Sequence, residues 1–169
     1  MTKSVSCVVV SDNHGDAEAL LELLSFYAEK GHDFLHCGDS ESTSLSPIWT
    51  QMQTVKGNMD RDPTFPDRRI VSLGGKKILL THGHLQGVKQ TLAVLQKEAN
   101  EAKVDIVCFG HTHIPYCHMH EGILYLNSGS ISRPKGPTRQ KTYAVLTVTE
   151  DALDVQYYTD THQPIELVE

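Results

Sequence analysis

The feature that most constrains the fold of this sequence is one pattern that occurs five times. A short apolar run of strand length ends in small or turn-forming residues and then in a side chain that can bind metal. The five segments are Asp12-Asn13-His14, Gly38-Asp39, Gly57-Asn58, His82-Gly83-His84 and Gly110-His111-Thr112-His113. In open α/β sheets, ligand sites form beyond the carboxyl ends of the strands. Each segment alone is compatible with a turn, a helix cap or exposed histidines, but the five together predict one shared site.

In the last of these segments, an extended backbone would point His111 and His113 to the same side, because residues i and i+2 of a strand share a face. His36 also lies in a predicted strand. We expect it to be a buried, hydrogen-bonded histidine and not a ligand.

The order of the predicted elements indicates an α/β fold. A nearly continuous valine run predicts a central strand over residues 4–11, and Asp16 is the expected cap of the helix that follows and stops at Gly31. Further strands are predicted over 34–37, 53–56 and 104–109, with a second helix over 88–102. Three hairpins are expected, with turns at 74–75, 121–122 and 150–151. One parallel sheet cannot hold this order, so we predict two packed mixed β-sheets, a β-sandwich, flanked by α-helices.

Length and charge limit the classes of protein to which this chain can belong. The 169 residues predict a single domain over 1–169, and the net charge of −6 argues against a large nucleic-acid surface. No apolar run approaches the roughly 20 residues of a membrane helix, and the N-terminus lacks a signal-peptide pattern. The four cysteines contain no C-x-x-C and are expected to be free thiols; they are Cys7, Cys37, Cys108 and Cys117. We therefore expect a cytoplasmic protein without a membrane partner, and a homo-oligomer remains open.

The candidate ligands favour two metal ions. They comprise two carboxylates, one amide and four imidazoles: Asp12, His14, Asp39, Asn58, His82, His111 and His113. Mixed nitrogen and oxygen ligands suit Mn, Fe, Ni, Co or Zn. Seven ligands are too many for one ion but suit two ions roughly 3.5–4 Å apart. With a bridging hydroxide, such a cluster would keep a charge of about +1, attract a phosphate oxyanion and supply a nucleophile at neutral pH. The ligands therefore predict hydrolysis of a small phosphoester substrate.

The order D-x-H, G-D, G-N, H-G-H, G-H-T-H resembles that of the calcineurin-like metallophosphoesterases. The chain length and the G-N-M-D and N-S-G-S segments are similar to those of the small bacterial and archaeal YfcE-type phosphodiesterases. The resemblance implies a β-sandwich flanked by helices. It implies two metal sites that share Asp39 as a bridge: Asp12, His14, Asp39 and His113 for one ion, and Asp39, Asn58, His82 and His111 for the other. It also implies Mn²⁺ as the usual ion, with Ni²⁺, Fe²⁺, Zn²⁺ or Co²⁺ as alternatives.

One position departs from the pattern of the superfamily. Larger members often carry a histidine directly after the motif asparagine, where it donates a proton to the leaving group, and this chain has Met59 there. His84 is the nearest alternative acid by motif. We therefore predict Asn58 and His84 as the catalytic, substrate-contacting residues.

Two alternatives remain beside the phosphodiesterase: a phosphomonoesterase, and a Vps29-like metal-binding scaffold without activity. Because the chain keeps all seven ligand-type residues, the sequence favours an enzyme. The sequence does not name the natural substrate or the metal in the cell.

Overall fold

The computed structural model describes residues 3–168. The first part of the chain alternates strands with helices: β1 Val5–Val10, α1 Ala17–Phe26, β2 Asp33–His36, a short 3₁₀ helix Pro47–Thr50 and β3 Gln53–Thr54. The second part consists mainly of strands around one helix: β4 Arg68–Leu73, β5 Lys76–Thr81, α2 Ala93–Ala102, β6 Ile106–Phe109, β7 Tyr116–His120, β8 Ile123–Asn127, β9 Thr142–Val148, β10 Leu153–Thr159 and β11 Pro164–Ile165.

The strands form two mixed sheets, which confirms the predicted fold class. One sheet has the order β11-β10-β9-β1-β2-β3 and the other has the order β4-β5-β6-β8-β7. Strand β1 pairs parallel with β2 and antiparallel with β9, and β6 pairs parallel with both β5 and β8. The three predicted hairpins are present as β4–β5, β7–β8 and β9–β10. Parallel pairing brings together the carboxyl ends of β1 and β2 in one sheet and those of β5 and β6 in the other. Contacts between the segments that follow, such as the His111 N–H on Asp12 and His82 Nδ1 on the Cys37 carbonyl, join the two edges.

Alternating side chains of β1 divide the core into layers. Cys7 and Val9 pack between the two sheets, whereas Val8 and Val10 face α1 and its residues Leu20, Leu23 and Leu24. Helix α2 covers the outer face of the other sheet in the same way. Each fully buried aliphatic side chain stabilises the fold by roughly 1.5–3 kcal/mol. Burial of β1 on both faces explains its continuous valine run and holds its carboxyl end rigidly.

Two helix predictions need correction at their ends. Helix α2 begins at Ala93 and not at residue 88, because residues 84–90 form turns in which the N–H groups of Gln90 and Thr91 both donate to the Gly87 carbonyl oxygen. Helix α1 begins after the predicted cap, since the Asp16 side chain accepts from the Ala19 N–H, but it ends at Phe26 and turns lead on to Gly31. Strand β11 was not predicted because two residues are too few for a periodic pattern.

The cysteines are free, as predicted. Cys7, Cys37 and Cys108 are buried and Cys117 is partly buried. Burial raises the pKa of the Cys108 thiol to about 12, so this side chain behaves as an apolar core residue. Within residues 3–168, no helix is both long enough and apolar enough to span a bilayer.

Candidate metal centre

The carboxyl ends of the strands bring six of the seven predicted ligands into two adjoining groups. Asp12, His14 and His113 form the first, which we call the Asp12 group. Asp39, His82 and His111 form the second, the Asp39 group. In each group, one potential ligand atom per residue lies within 4.8 Å of the others.

The two groups are in direct contact with each other. His82 Nε2 lies 3.2 Å from Asp39 Oδ2 and 3.7 Å from Asp12 Oδ1. The seventh predicted ligand, Asn58, places its Oδ1 3.1 Å from the same His82 nitrogen and so adjoins the Asp39 group. The structure therefore brings all seven side chains together, and their binding of metal stays a prediction.

The backbone of these segments is not extended. Five of the seven predicted ligands have a positive φ: Asp12 55°, His14 42°, Asp39 58°, His111 72° and His113 63°. The argument that His111 and His113 project to one side of an extended segment is therefore wrong, and the two rings belong to different groups. A left-handed conformation costs a non-glycine residue roughly 1–2 kcal/mol. Such residues cluster where the surrounding structure enforces a functional geometry.

Backbone carbonyls fix the tautomers of two histidines. His82 Nδ1 lies 2.7 Å from the Cys37 carbonyl oxygen, and His113 Nδ1 lies 2.7 Å from the Arg133 carbonyl oxygen. A carbonyl only accepts, so each Nδ1–H donates and each neutral ring leaves a lone pair on Nε2. These lone pairs face carboxylate oxygens, 3.2 Å away at Asp39 and 3.3 Å away at Asp12. Two acceptors repel each other unless a cation lies between them, so this arrangement fits a metal ion.

The carboxylates are prepared for a cation as well. Asp12 is fully buried, and its Oδ1 has no hydrogen-bond partner among residues 3–168, which is unusual for a buried oxygen. Burial would raise the pKa of Asp12, but His113, His82 and Ser11 outweigh it and lower the pKa. At Asp39, burial also acts to raise the pKa, but the interactions, mainly those with His82, outweigh it and lower the pKa of this carboxyl group to about 2. Both carboxylates are therefore anionic at neutral pH.

A proton on an imidazole can balance part of the negative charge of the two carboxylates. Burial disfavours the protonated form of His82, but Asp39 and Asp12 outweigh burial and raise the pKa of this imidazole. His111 differs, because burial, His82 and Lys89 lower its pKa to about 4. The two imidazoles of the Asp39 group therefore titrate at different pH.

Two motif glycines allow the backbone to approach the carboxylates. A Cβ on Gly110 would lie 2.6 Å from Asp12 Oδ2, and a Cβ on Gly57 would overlap Asp39 Oδ1. Any larger residue would displace one of the two carboxylates. The glycines of G-H-T-H and G-N are thus explained by close packing.

Asp60 is a functional residue that the sequence analysis missed. It is buried, and its carboxylate accepts from the backbone N–H groups of Asp39 at 2.9 Å, Glu41 at 2.7 Å and Gly57 at 2.7 Å. Bonds from several N–H groups to a carboxylate are strong and geometrically defined. Asp60 thereby positions the loop of Asp39 against the loop of Asn58. The only signal in the sequence was its place in G-N-M-D.

The N-S-G-S segment supports the Asp12 group. The hydroxyls of Ser130 and Ser132 both donate to the Asp12 carbonyl oxygen at 2.8 Å. The amide of Asn127 donates to the Gly110 carbonyl oxygen at 3.1 Å, which holds the start of G-H-T-H. The roles of these residues follow from contacts between distant parts of the chain.

His36 has the structural role that we predicted. Its Nε2 lies 2.8 Å from Asn13 Oδ1, and its Nδ1 accepts from the Gly38 N–H at 3.0 Å. Both ring nitrogens are therefore used within the protein. Burial lowers its pKa to about 4, so the ring is neutral at physiological pH.

His84 lies next to the Asp39 group without belonging to it. Its ring centroid is 5.3 Å from that of His82 and 6.1 Å from that of His111, and its Nδ1 has no hydrogen-bond partner among the described residues. Burial and His82 lower its pKa. Met59, where larger relatives carry histidine, is 48% exposed, and its N–H donates to Asp39 Oδ1 at 2.8 Å.

The centre is flanked by two open pockets. One has a volume of about 520 Å³ and is polar, and it reaches the centre at Glu41, which lies 3.3 Å from His14 Nδ1, and at Met59. The other has a volume of about 500 Å³ and is mainly apolar, and it includes Thr112, between His111 and His113.

Comparison with known proteins places this architecture in a family. Residues 5–151 match the calcineurin-like phosphoesterase superfamily domain. The probable metallophosphoesterase YsnB of Bacillus subtilis strain 168 is 38% identical over 162 residues, which are 96% of this chain and 95% of that protein. The phosphodiesterase YfcE of Escherichia coli K12 is 26% identical over 152 residues, covering 75% of this chain and 79% of that protein.

A solved structure supports the same conclusion. The crystal structure of a conserved uncharacterized protein of Streptococcus pneumoniae TIGR4, described as a predicted phosphoesterase, superimposes with a TM-score of 0.93 at 35% identity. The match covers 98% of this chain and 95% of that one. The resemblance inferred from the motif order is confirmed, and the chain belongs to the calcineurin-like phosphoesterase superfamily.

Proposed function

We propose that this protein is a phosphodiesterase that works with two divalent cations, one in the Asp12 group and one in the Asp39 group. The observation that carries the proposal is the pair of adjoining groups, each with an anionic carboxylate and an imidazole whose lone pair faces it. Residues 1–169 would form one catalytic domain.

The side chains divide between the two ions in a simple way. Asp12, His14 and His113 would hold one ion; Asn58, His82 and His111 would hold the other; and Asp39 would bridge them. The nitrogen and oxygen donors suit Mn²⁺, Ni²⁺, Fe²⁺, Zn²⁺ or Co²⁺, and among these the family resemblance favours Mn²⁺. When bound, the ions would supply positive charge for a phosphoryl oxyanion and would lower the pKa of a water between them, so that a bridging hydroxide could serve as the nucleophile at neutral pH.

Asn58 and His84 would contact the substrate. With Asn58 Oδ1 turned toward the Asp39 group, the amide NH₂ is free to donate to a phosphoryl oxygen. His84 stands beside the same group with an unpaired Nδ1, and its lowered pKa keeps the ring neutral. A neutral ring orients substrate through its N–H, and it is a weaker proton donor than an imidazolium.

The two flanking pockets favour a diester over a monoester. A phosphodiester has two organic arms, and two separate pockets include residues next to predicted ligands, Met59 in one and Thr112 in the other. A monoester would leave one pocket without an occupant.

Hydrolysis assays test this proposal. Purified protein with Mn²⁺ should hydrolyse bis(4-nitrophenyl) phosphate faster than 4-nitrophenyl phosphate, and EDTA should abolish both reactions. His82→Ala should remove activity together with bound metal, while His118→Ala, an exposed histidine on β7, should retain both. A faster monoester reaction would make the protein a phosphomonoesterase. Absence of any metal-dependent hydrolysis would favour the scaffold.

A further inference from the structure

The mainly apolar pocket beside the centre has the properties of a substrate subsite. Its volume of about 500 Å³ lies within the range of small-molecule sites, roughly 300–1,000 Å³. Five apolar side chains form most of its lining: Val88, Leu92, Phe109, Ile114 and Tyr116. The rings of Phe109 and Tyr116 meet edge to face at 6.2 Å, and Ile114 is 40% exposed. Such a surface gains free energy when an apolar, ring-shaped group covers it.

Two lysines complete the lining of this pocket. Lys89 and Lys135 are exposed, and within residues 3–168 neither forms a salt bridge. The chain as a whole carries a net charge of −6, so this apolar surface with two unneutralised cations differs in charge from the rest of the protein. Lys135 also belongs to the basic segment 132–141, which has four cationic residues and no acid. The lining therefore complements a ring that carries negative charge.

Backbone contacts attach this basic segment to the metal centre. The Lys135 N–H donates to the His113 carbonyl oxygen at 3.0 Å, and His113 Nδ1 donates to the Arg133 carbonyl oxygen. Lys89 follows the buried Val88 directly, and both residues line the same pocket. The backbone of Lys135 thus keeps a fixed position relative to a group bound at the metals.

The lining of the polar pocket has the reverse charge. Its lining includes Glu41 and Asp62 with Arg61 as the one cation. An anionic arm would be repelled there and attracted to the lysines. The two sides of the centre therefore distinguish between the two arms of a substrate.

We infer that the pocket of Val88, Leu92, Ile114, Lys89 and Lys135 binds an aromatic substrate arm that carries a further anionic group. The phosphoryl group of the same molecule would lie at the metal centre, so this inference rests on the proposed function. The preferred substrate class is then a phosphodiester with one anionic aromatic arm.

Binding of phosphonates tests the inference without turnover, because the P–C bond is not hydrolysed. The affinities of ethylphosphonate, benzylphosphonate and 4-carboxybenzylphosphonate for the Mn²⁺-loaded protein are measured by titration calorimetry. The ring should tighten binding roughly tenfold through apolar burial. The carboxylate should add about threefold, as expected for exposed ion pairs, and this second gain should disappear in high salt.

Matched variants assign each gain to its residues. Ile114→Ala should reduce the gain from the ring, and the double variant Lys89→Ala/Lys135→Ala should remove the gain from the carboxylate. Val94→Ala and Lys76→Ala/Lys97→Ala are the controls, since these side chains lie outside the pocket and should change neither gain.

The outcomes separate this inference from the proposed function. Equal affinity for the three phosphonates, or gains that persist in the pocket variants, would overturn the inference while metal-dependent hydrolysis of diesters continued. If no phosphonate binds and no diester is hydrolysed, the proposed function fails and the inference fails with it.

Discussion

The Asp12 group and the Asp39 group contain the same kinds of ligand, but the fold supports them in different ways. The Asp39 loop is held by Asp60, a buried carboxylate that accepts from three backbone N–H groups, and by the Met59 N–H on Asp39 itself. The Asp12 group is held by two serine hydroxyls, by the carbonyl of Arg133 in an exposed basic segment, and by bonds from the Ser11 hydroxyl and the His111 N–H to the Asp12 carboxylate itself.

This difference indicates how each group is preorganised. Hydrogen bonds to an ionised acceptor are roughly twice as strong as bonds between neutral groups. Four such bonds support the Asp39 group and two support the Asp12 group, so we expect the Asp39 group to be the more rigid one and to bind its ion more tightly. The Asp12 group depends on a surface segment, and its ion should be lost first when a chelator is added.

The largest effect should come from the carboxylates themselves. We expect Asp39→Asn to lose both ions and Asp12→Asn to lose one, because only Asp39 is proposed to bridge. Activity should fall in both variants by more than the 10- to 100-fold typical of residues that merely orient ligands. Metal content per chain and turnover are measured together. Retention of two ions by Asp39→Asn would show that the bridge is wrong.

Asp60→Asn should have the next largest effect. An amide cannot satisfy three backbone donors as a carboxylate does, so the Asp39 loop should loosen and metal affinity should fall roughly 10- to 100-fold. Added Mn²⁺ should restore much of the activity, which a misfolded protein would not regain. Asp62→Asn is the matched control, since Asp62 accepts from the Ser44 and Thr64 N–H groups and binds none of the metal loops. Equal losses in the two variants would contradict the special role of Asp60.

Met59→His tests proton donation beside the Asp39 group. General acids contribute about 10²–10⁴-fold to catalysis. A newly introduced histidine should supply part of this effect and raise the turnover of alkyl esters about tenfold. Nitrophenyl esters should change little, because nitrophenolate leaves without a proton. Turnover is measured for diesters of graded leaving-group pKa at saturating Mn²⁺. The wild type should show a steep dependence that flattens in the variant; parallel slopes with unchanged metal content would contradict the prediction.

The smallest effect concerns pH and thermal stability. The raised pKa of His82 means that its protonation stabilises the metal-free fold below the unfolded pKa of about 6.5. This contribution is lost as pH rises through the folded pKa. A bound cation replaces the proton, so stabilisation by Mn²⁺ should grow as pH rises from about 6.5 toward the higher folded pKa. His36, with its pKa lowered to about 4, destabilises the fold only as pH falls below 6.5, outside this window.

The expected size follows from proton linkage. One displaced proton changes the free energy of unfolding by about 1.4 kcal/mol per pH unit, which is roughly 3–5 °C in melting temperature for a chain of this length. Calorimetric melting with and without Mn²⁺ at each pH gives the difference. An increment that stays constant with pH would argue against proton displacement at His82. The acid limb of activity should likewise move to lower pH when more metal is added.

Much of the fold could be predicted because its signals are local. The valine run of β1, the Asp16 cap and the glycine pair between β4 and β5 each act within a few residues, and each formed as expected. The start of α2 was misplaced because the apolar spacing continues through Val88, where Gly87 has already turned the chain. The backbone of His111 and His113 was misjudged because a left-handed turn leaves no pattern in residue type.

The sequence by itself determined which side chains meet, because metal-capable residues at the ends of parallel strands must share one edge. Only the tertiary structure decided how these side chains divide into the Asp12 group and the Asp39 group, and which nitrogen of each imidazole points at a carboxylate. The tautomers of His82 and His113 depend on the carbonyls of Cys37 and Arg133, which every residue type possesses, so no sequence signal marks them. The role of Asp60 could not be predicted for the same reason, since its carboxylate accepts three bonds from backbone N–H groups of two separate loops.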